Sequence, residues 1–195
     1  CLVPSDLDAR DADGVVLRDA LVAFGGDPNA AVSAAYAREE ALAYLEVHIE
    51  QGPVLEAEGL PIGIVTSIAG QSRFSVTVTG EAGHAGTVPM PLRRDALAAS
   101  AELMLAIEEV ARVGQAHQMV ATVGRLAAKP GAVNVIPAEV VFTLDIRADA
   151  DAPRLSAIAE LDARFQAIAN RRGVSVAMDK FYESPTTPCA PRLQE

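Results

Sequence analysis

Tryptophan is absent from the 195 residues, and three Tyr and five Phe are the only aromatic side chains. A core must therefore be filled by Ala, Val, Leu and Ile. Cysteine is almost missing as well. Cys1 and Cys189 cannot make a disulfide framework, and no Cys-x-x-Cys occurs. The expectation is two free thiols in a reducing, cytoplasmic setting. Positive charge is in deficit: 16 Lys and Arg stand against 26 Asp and Glu, a formal net charge of -10. Such a field repels phosphate backbones and argues against nucleic acid as a partner. Charged residues interrupt every apolar run before it reaches the length of a membrane span. The first residues, Cys1 to Asp6, have neither the basic start nor the apolar stretch of a signal peptide, and no initiator Met. The sequence also lacks His-x-Asp, His-Glu-x-x-His, Gly-x-Ser-x-Gly and Gly-x-x-x-x-Gly-Lys. What it has is an apolar half (50%), enough to bury a core and to exclude global disorder.

Periodicity divides the chain. Val16, Leu17, Ala20, Leu21 and Phe24 recur at helical spacing up to Gly25-Gly26, and Asp27-Pro28 opens another helix. Ala43 to Glu50 reads as a strand, Val54 to Glu58 as a short helix, and Ile62 to Ile68 as a buried strand. From Gln71 the pattern is cleaner. Phe74, Val76 and Val78 alternate with Ser75, Thr77 and Thr79 in a half-buried strand. A glycine-rich loop, 80–86, leads to an amphipathic helix over 92–113. Strands are expected over 119–126 and 139–147, a helix over 155–172 and a last short strand over 174–178.

The order from Gln71 to Met178 is β-α-β-β-α-β, the ferredoxin-like pattern of two helices on one face of a four-stranded antiparallel sheet. Alternation puts Thr77, Thr143, Asp145 and Arg147 on the other, open face. The expected divisions are 1–69, part of an α/β domain; 70–181, the ferredoxin-like α+β domain; and 182–195, a return segment with almost no structure of its own. Two buried strands in 1–69 cannot make a covered sheet by themselves, so partner strands from elsewhere are implied.

Few residues can carry chemistry. His48 ends the strand before Gly52-Pro53, where α/β enzymes place site residues; it is a metal ligand, an acid or base, or a hydrogen-bonded strand-end side chain. His84 lies between glycines in Gly83-His84-Ala85-Gly86. These let the backbone approach a ligand and leave the imidazole unshielded, as a donor to a developing oxyanion or to a carboxylate, or as a solvent-exposed loop residue. His117 reads as surface. Asn134, before Val135-Ile136-Pro137, fits a turn. Arg147, at a strand end, is either a bidentate carboxylate clamp or a solvated cation. Glu39-Glu40 and Glu108-Glu109 diverge in helical context and read as solvated charge.

Taken in order, His48-Ile49-Glu50-Gln51-Gly52-Pro53, Gly83-His84-Ala85-Gly86-Thr87-Val88-Pro89-Met90, Arg94-Asp95-Ala96, Asn134-Val135-Ile136-Pro137 and Asp145-Ile146-Arg147 resemble one family. It is the N-carbamoyl-L-amino acid hydrolase, β-ureidopropionase and allantoate amidohydrolase branch of the M20 metallopeptidase-like superfamily. The resemblance covers roughly residues 14 to 178. It implies an α/β metallohydrolase domain with two divalent metal ions, zinc or manganese, interrupted by a ferredoxin-like lid that makes a homodimer. By resemblance His48 is one metal ligand and Gln51 contacts substrate. His84 reaches into the partner subunit's site and polarises the carbamoyl carbonyl. Asn134 and Arg147 hold the substrate, with Arg147 on its carboxylate. The implied substrate is a ureido or carbamoyl acid, and the implied chemistry is attack of metal-activated water on the ureido carbon.

The family's other metal ligands have no counterpart in these residues. Glu39-Glu40 lies too close to His48 to be the family's acidic pair, and Ala41-Leu42 follows where the family has glycine. The resemblance therefore implies a central and lid portion of a longer enzyme, inactive by itself. The alternative is a non-catalytic ferredoxin-like module for dimerisation or ligand sensing. A di-zinc dipeptidase of the wider superfamily conflicts with the His48 string and with Arg147.

Overall fold

The structure is a computed structural model that describes residues 2–37 and 39–194. Cys1 lies outside them; Cys189 is a free thiol. Among the described residues no helix is long and apolar enough to cross a membrane. The chain forms two units, Cys1–Pro61 and Ile62–Glu195.

The first unit holds a 3-10 turn at Pro4–Asp8, helices α1 (Leu17–Ala23) and α2 (Pro28–Ala31), and α3 (Val54–Glu58). Side-chain oxygens set these short pieces. Asp11 Oδ1 accepts the N–H groups of Asp13 and Val15 before α1, and Asp27 caps α2 through the Asn29 N–H. Leu7 and Pro28 are buried. The strand expected over 43–50 is not formed: the segment is irregular, and Leu45, Val47 and Ile49 are exposed. Alternation marks a strand that wants a partner, and no described strand offers its N–H and C=O groups to this one.

The second unit begins with a similar correction. Of the run 62–68 only β1 (Ser67–Ile68) pairs, while Ile62, Ile64 and Val65 are exposed. Then follow β2 (Gly70–Thr79), β3 (Gly83–His84), α4 (Ala96–Val113), β4 (Val120–Lys129), β5 (Val135–Ile136), β6 (Glu139–Ala148), α5 (Asp151–Arg172), β7 (Ser175–Ser184) and β8 (Thr187–Pro188). The main sheet has the order β4-β6-β2-β7, antiparallel throughout. The expected β-α-β-β-α-β succession is thus present, with the small β3-β5 ladder added beyond the end of β2. The last strand runs to Ser184 rather than Met178. Residues 187–188 pair with 67–68, so the C-terminal stretch contributes structure that its Pro-rich composition concealed.

Both helices cover one face. Phe74, Val76, Val78, Val140, Phe142, Leu144 and Ile146 pack against Ala99, Leu103, Ile107 and Val110 of α4 and Leu161 and Phe165 of α5. Each fully buried Leu, Ile or Phe here stabilises the fold by about 1.5–3 kcal/mol. Helix α4 starts at Ala96 rather than at 92, because Asp95 Oδ1 accepts the N–H groups of Leu97 and Ala98 and fixes the first turn. Glu102 on α4 pairs with Arg171 and Arg172 on α5, tying the helices together on their outer side. The opposite face of the sheet keeps Arg73, Ser75, Thr77, Thr143 and Asp145 half-buried, with Arg147 exposed, as the alternation predicts.

Candidate functional site

The glycine loop folds into a supported platform for His84. Gly80 donates its N–H to Ala138 O at 2.7 Å, and a Cβ on Gly80 would lie 2.0 Å from Arg94 O. Only glycine permits that approach. His84 on β3 stands opposite Val135 on β5, and the Ala85 N–H donates to Asn134 O at 2.9 Å. The ladder therefore brings His84 and Asn134 together, both exposed. Arg93 grips the same loop, donating Nη2–H to Ala85 O at 2.6 Å and Nε–H to Val88 O at 3.0 Å. The Gly86 N–H donates to His84 Nδ1 at 3.1 Å. An accepting Nδ1 carries no proton, so the neutral ring bears its N–H on Nε2, a donor available to a ligand.

Arg147 occupies the opposite end of β6. Its Nε and Nη2 donate to Asp145 Oδ1 and Oδ2, each at 3.0 Å. Asp145 also accepts from Gln71 Nε2 at 2.6 Å and Arg73 Nε at 3.0 Å. Burial alone would raise the Asp145 pKa, but the donors from Arg147, Gln71 and Arg73 outweigh it and hold the carboxyl at about 2. The paired carboxylate in turn raises the Arg147 pKa. Arg73, Asp145 and Arg147 line a groove of about 470 Å³ on the open face, with Val120, Thr122 and Phe181 along it.

Gln71 is registered opposite Arg147, and Thr79 opposite Glu139, just before the His84–Asn134 platform. The eight residue steps from Gln71 to Thr79 span roughly 26 Å at about 3.3 Å each. Within one chain, His84 and Asn134 form one cluster and Arg147 another.

His48 and Gln51 belong to the first unit. His48 is exposed, with Nδ1 against Ile49 O. Glu50, its neighbour in the motif, is occupied in capping α3, accepting the N–H groups of Val54 and Leu55. Gln51 adopts the left-handed region, φ 57°, which a non-glycine residue occupies only when its surroundings impose it. Among the described residues no three His, Cys, Asp or Glu side chains gather to hold a metal ion. His48 by itself is one donor where a zinc site uses about four, so the residues present do not fit a complete metal centre.

Three contributors escaped the sequence reading: Arg93, Gln71 and Arg73. The available signal was weak. Period-two spacing sets Gln71 beside Arg73, and Asp145 beside Arg147, on one face, yet only the ladder register shows that all four meet.

Residues 66–175, more than half of the chain, match the model of a family described as the peptidase dimerisation domain, M20_dimer. Over 189 residues the chain is 42% identical to an N-carbamoyl-L-amino acid amidohydrolase of Geobacillus stearothermophilus, covering 97% of this chain and 46% of that protein. It is 38% identical over 210 residues to a probable allantoate deiminase of Oryza sativa subsp. japonica, covering 98% and 43%. Among solved structures, a hydantoinase/carbamoylase family amidase from Burkholderia ambifaria aligns with a TM-score of 0.81 and 39% identity, over 96% of this chain and 45% of that one. The chain spans about half the length of the curated relatives it matches.

Proposed function

Because the chain belongs to the M20 peptidase dimerisation family, we propose that the whole protein is a homodimeric amidohydrolase of linear ureido or carbamoyl C–N bonds, with a carboxylate on the substrate. The observation that carries this reading is the Gly86–His84 hydrogen bond, which leaves Nε2–H as the outward donor of an exposed ring. A donor so placed stabilises negative charge that develops on a carbonyl oxygen during attack at its carbon. Asn134, beside it across the β3-β5 ladder, adds an amide that can orient the ureido group. Arg147 takes the carboxylate.

The separation along β2 supports a site shared between subunits. His84 and Asn134 of one subunit complete the site to which the other subunit contributes Arg147, since one small substrate cannot touch both ends of the same sheet. His48 and Gln51 are assigned a metal donor's role and a substrate contact. Two divalent ions, zinc or manganese, belong to this reading, but the described residues do not assemble a site for them. The chain's own residues bind, orient and polarise.

The test is a substrate panel. The whole protein, supplied with zinc or manganese, is assayed with allantoate, N-carbamoyl-β-alanine and several N-carbamoyl-L-amino acids for ammonia release. Turnover of at least one is expected, and none with simple dipeptides. Silence on every ureido compound, with intact folding, favours the non-catalytic module instead.

A further inference from the structure

Asp145 is the centre of the open face. It accepts from Arg147 Nε on Oδ1, and from Arg147 Nη2, Arg73 Nε and Gln71 Nε2 on Oδ2. A carboxylate has about four lone-pair sites, two on each oxygen; with three donors on Oδ2 and one on Oδ1, most of the accepting capacity of Asp145 is already engaged. The guanidinium groups of Arg147 and Arg73 beside it keep it ionised and make it a poor base. What it does is hold Arg147.

The edge by which it holds Arg147 matters. A guanidinium presents five N–H bonds in a plane. Asp145 takes the side edge, formed by Nε–H and one Nη2–H. The end edge, formed by one Nη1–H and the other Nη2–H, keeps the spacing that a second carboxylate needs for a two-pronged bond. Arg147 can thus be fixed by one carboxylate and still clamp another. Charge points the same way. An isolated Arg147–Asp145 pair is neutral and attracts an incoming anion poorly. Arg73 sits on the same carboxylate and over the Tyr182 ring, 5.2 Å from its centroid, which returns the cluster to one net positive charge.

We propose that Asp145 is a positioning residue that fixes Arg147 by its side edge so that the end edge receives the substrate carboxylate, with Arg73 restoring the positive charge that Asp145 removes. This rests on the reading of Arg147 as the carboxylate clamp. Asp145 acts through Arg147, and its loss weakens binding rather than chemistry.

The experiment uses the whole protein, with allantoate and N-carbamoyl-L-alanine as probes. Arg147→Ala, Asp145→Ala, Asp145→Asn, Arg73→Gln and the double variant Asp145→Ala/Arg147→Ala are compared by kcat and KM. For Asp145→Ala, KM rises about tenfold or more while kcat stays within about twofold. Arg73→Gln raises KM severalfold. The double variant is no worse than Arg147→Ala alone, because removing the holder costs nothing once the held group is gone. A merely structural Asp145 would instead lower the melting temperature and leave KM alone, or add its defect to that of Arg147→Ala; either result overturns the proposal and spares the clamp. If Arg147→Ala leaves KM unchanged, the clamp reading falls and the proposal with it. Should Asp145→Ala fail to fold, Asp145→Asn, which keeps the shape and removes the charge, is read by the same criteria.

Discussion

His84, on the small β3-β5 ladder, lies beyond one end of the main antiparallel sheet and Arg147 at the other, with the β2-β6 ladder from Gln71–Arg147 to Thr79–Glu139 between them. Roughly 26 Å of strand cannot be bridged by two side chains and one small ureido acid. On the proposed function, the two residues serve the same reaction from different subunits.

Complementation measures this directly. His84→Ala and Arg147→Ala homodimers are each expected to be nearly inactive. In a two-fold dimer that mixes the two variants, one site has both intact groups and the other has neither. Random mixing therefore restores about one quarter of the wild-type rate. Mixtures that stay as inactive as their parents would place both groups in one subunit's site.

The donor role proposed for His84 has its own signature. The ring is exposed and its Nδ1 is already engaged by Gly86, so His84→Ala should cost kcat by about 10²–10³ with little change in melting temperature. His84→Gln, which retains a side-chain N–H, should recover part of the loss. Equal defects in the two variants would deny that a donated hydrogen bond is what matters.

How far these features could be read without coordinates depended on how local their causes are. The β2 and β6 alternation, the α4 and α5 stripes and the open face were legible, because burial of one face imposes the period on the sequence itself. The strand over 43–50 was misread for the complementary reason. Leu45, Val47 and Ile49 have the pattern, but a ladder needs a second strand, and pairing is not a local property. His84, Asn134 and Arg147 could be singled out from their motifs. That His84 and Asn134 cluster while Arg147 lies elsewhere, and that Gln71 and Arg73 converge on Asp145, follows from register between segments some 50 to 70 residues apart.

Gly80 tests the platform beneath His84. A Cβ there would meet Arg94 O at 2.0 Å, with no flexible side chain to move aside. Gly80→Ala should destabilise the chain by about 3 kcal/mol in chemical denaturation. Gly124→Ala is the control: its Cβ would meet nothing nearer than Thr143 Oγ1 at 3.7 Å, so a change within about 0.5 kcal/mol is expected. Similar losses at the two positions would refute the close-approach argument.

Acid exposes the tie between the two helices. Hydrogen bonds from Arg172 and Arg171 lower the Glu102 pKa from the ordinary 4.5 to about 2. A carboxyl with a depressed folded-state pKa contributes stability that is fully present above its unfolded value and is lost as pH falls toward the folded one. The contribution of Glu102 should therefore be constant near neutrality and fade between pH 4.5 and about 2. Glu102→Gln lacks the charge at every pH. Its melting temperature should lie below that of the wild type at pH 7, and the two should converge as pH approaches 2, in a thermal scan repeated at half-unit steps. A gap that stays constant down to that pH would mean that Glu102 stabilises through packing or neutral hydrogen bonding, and that its ion pairs with Arg171 and Arg172 are incidental.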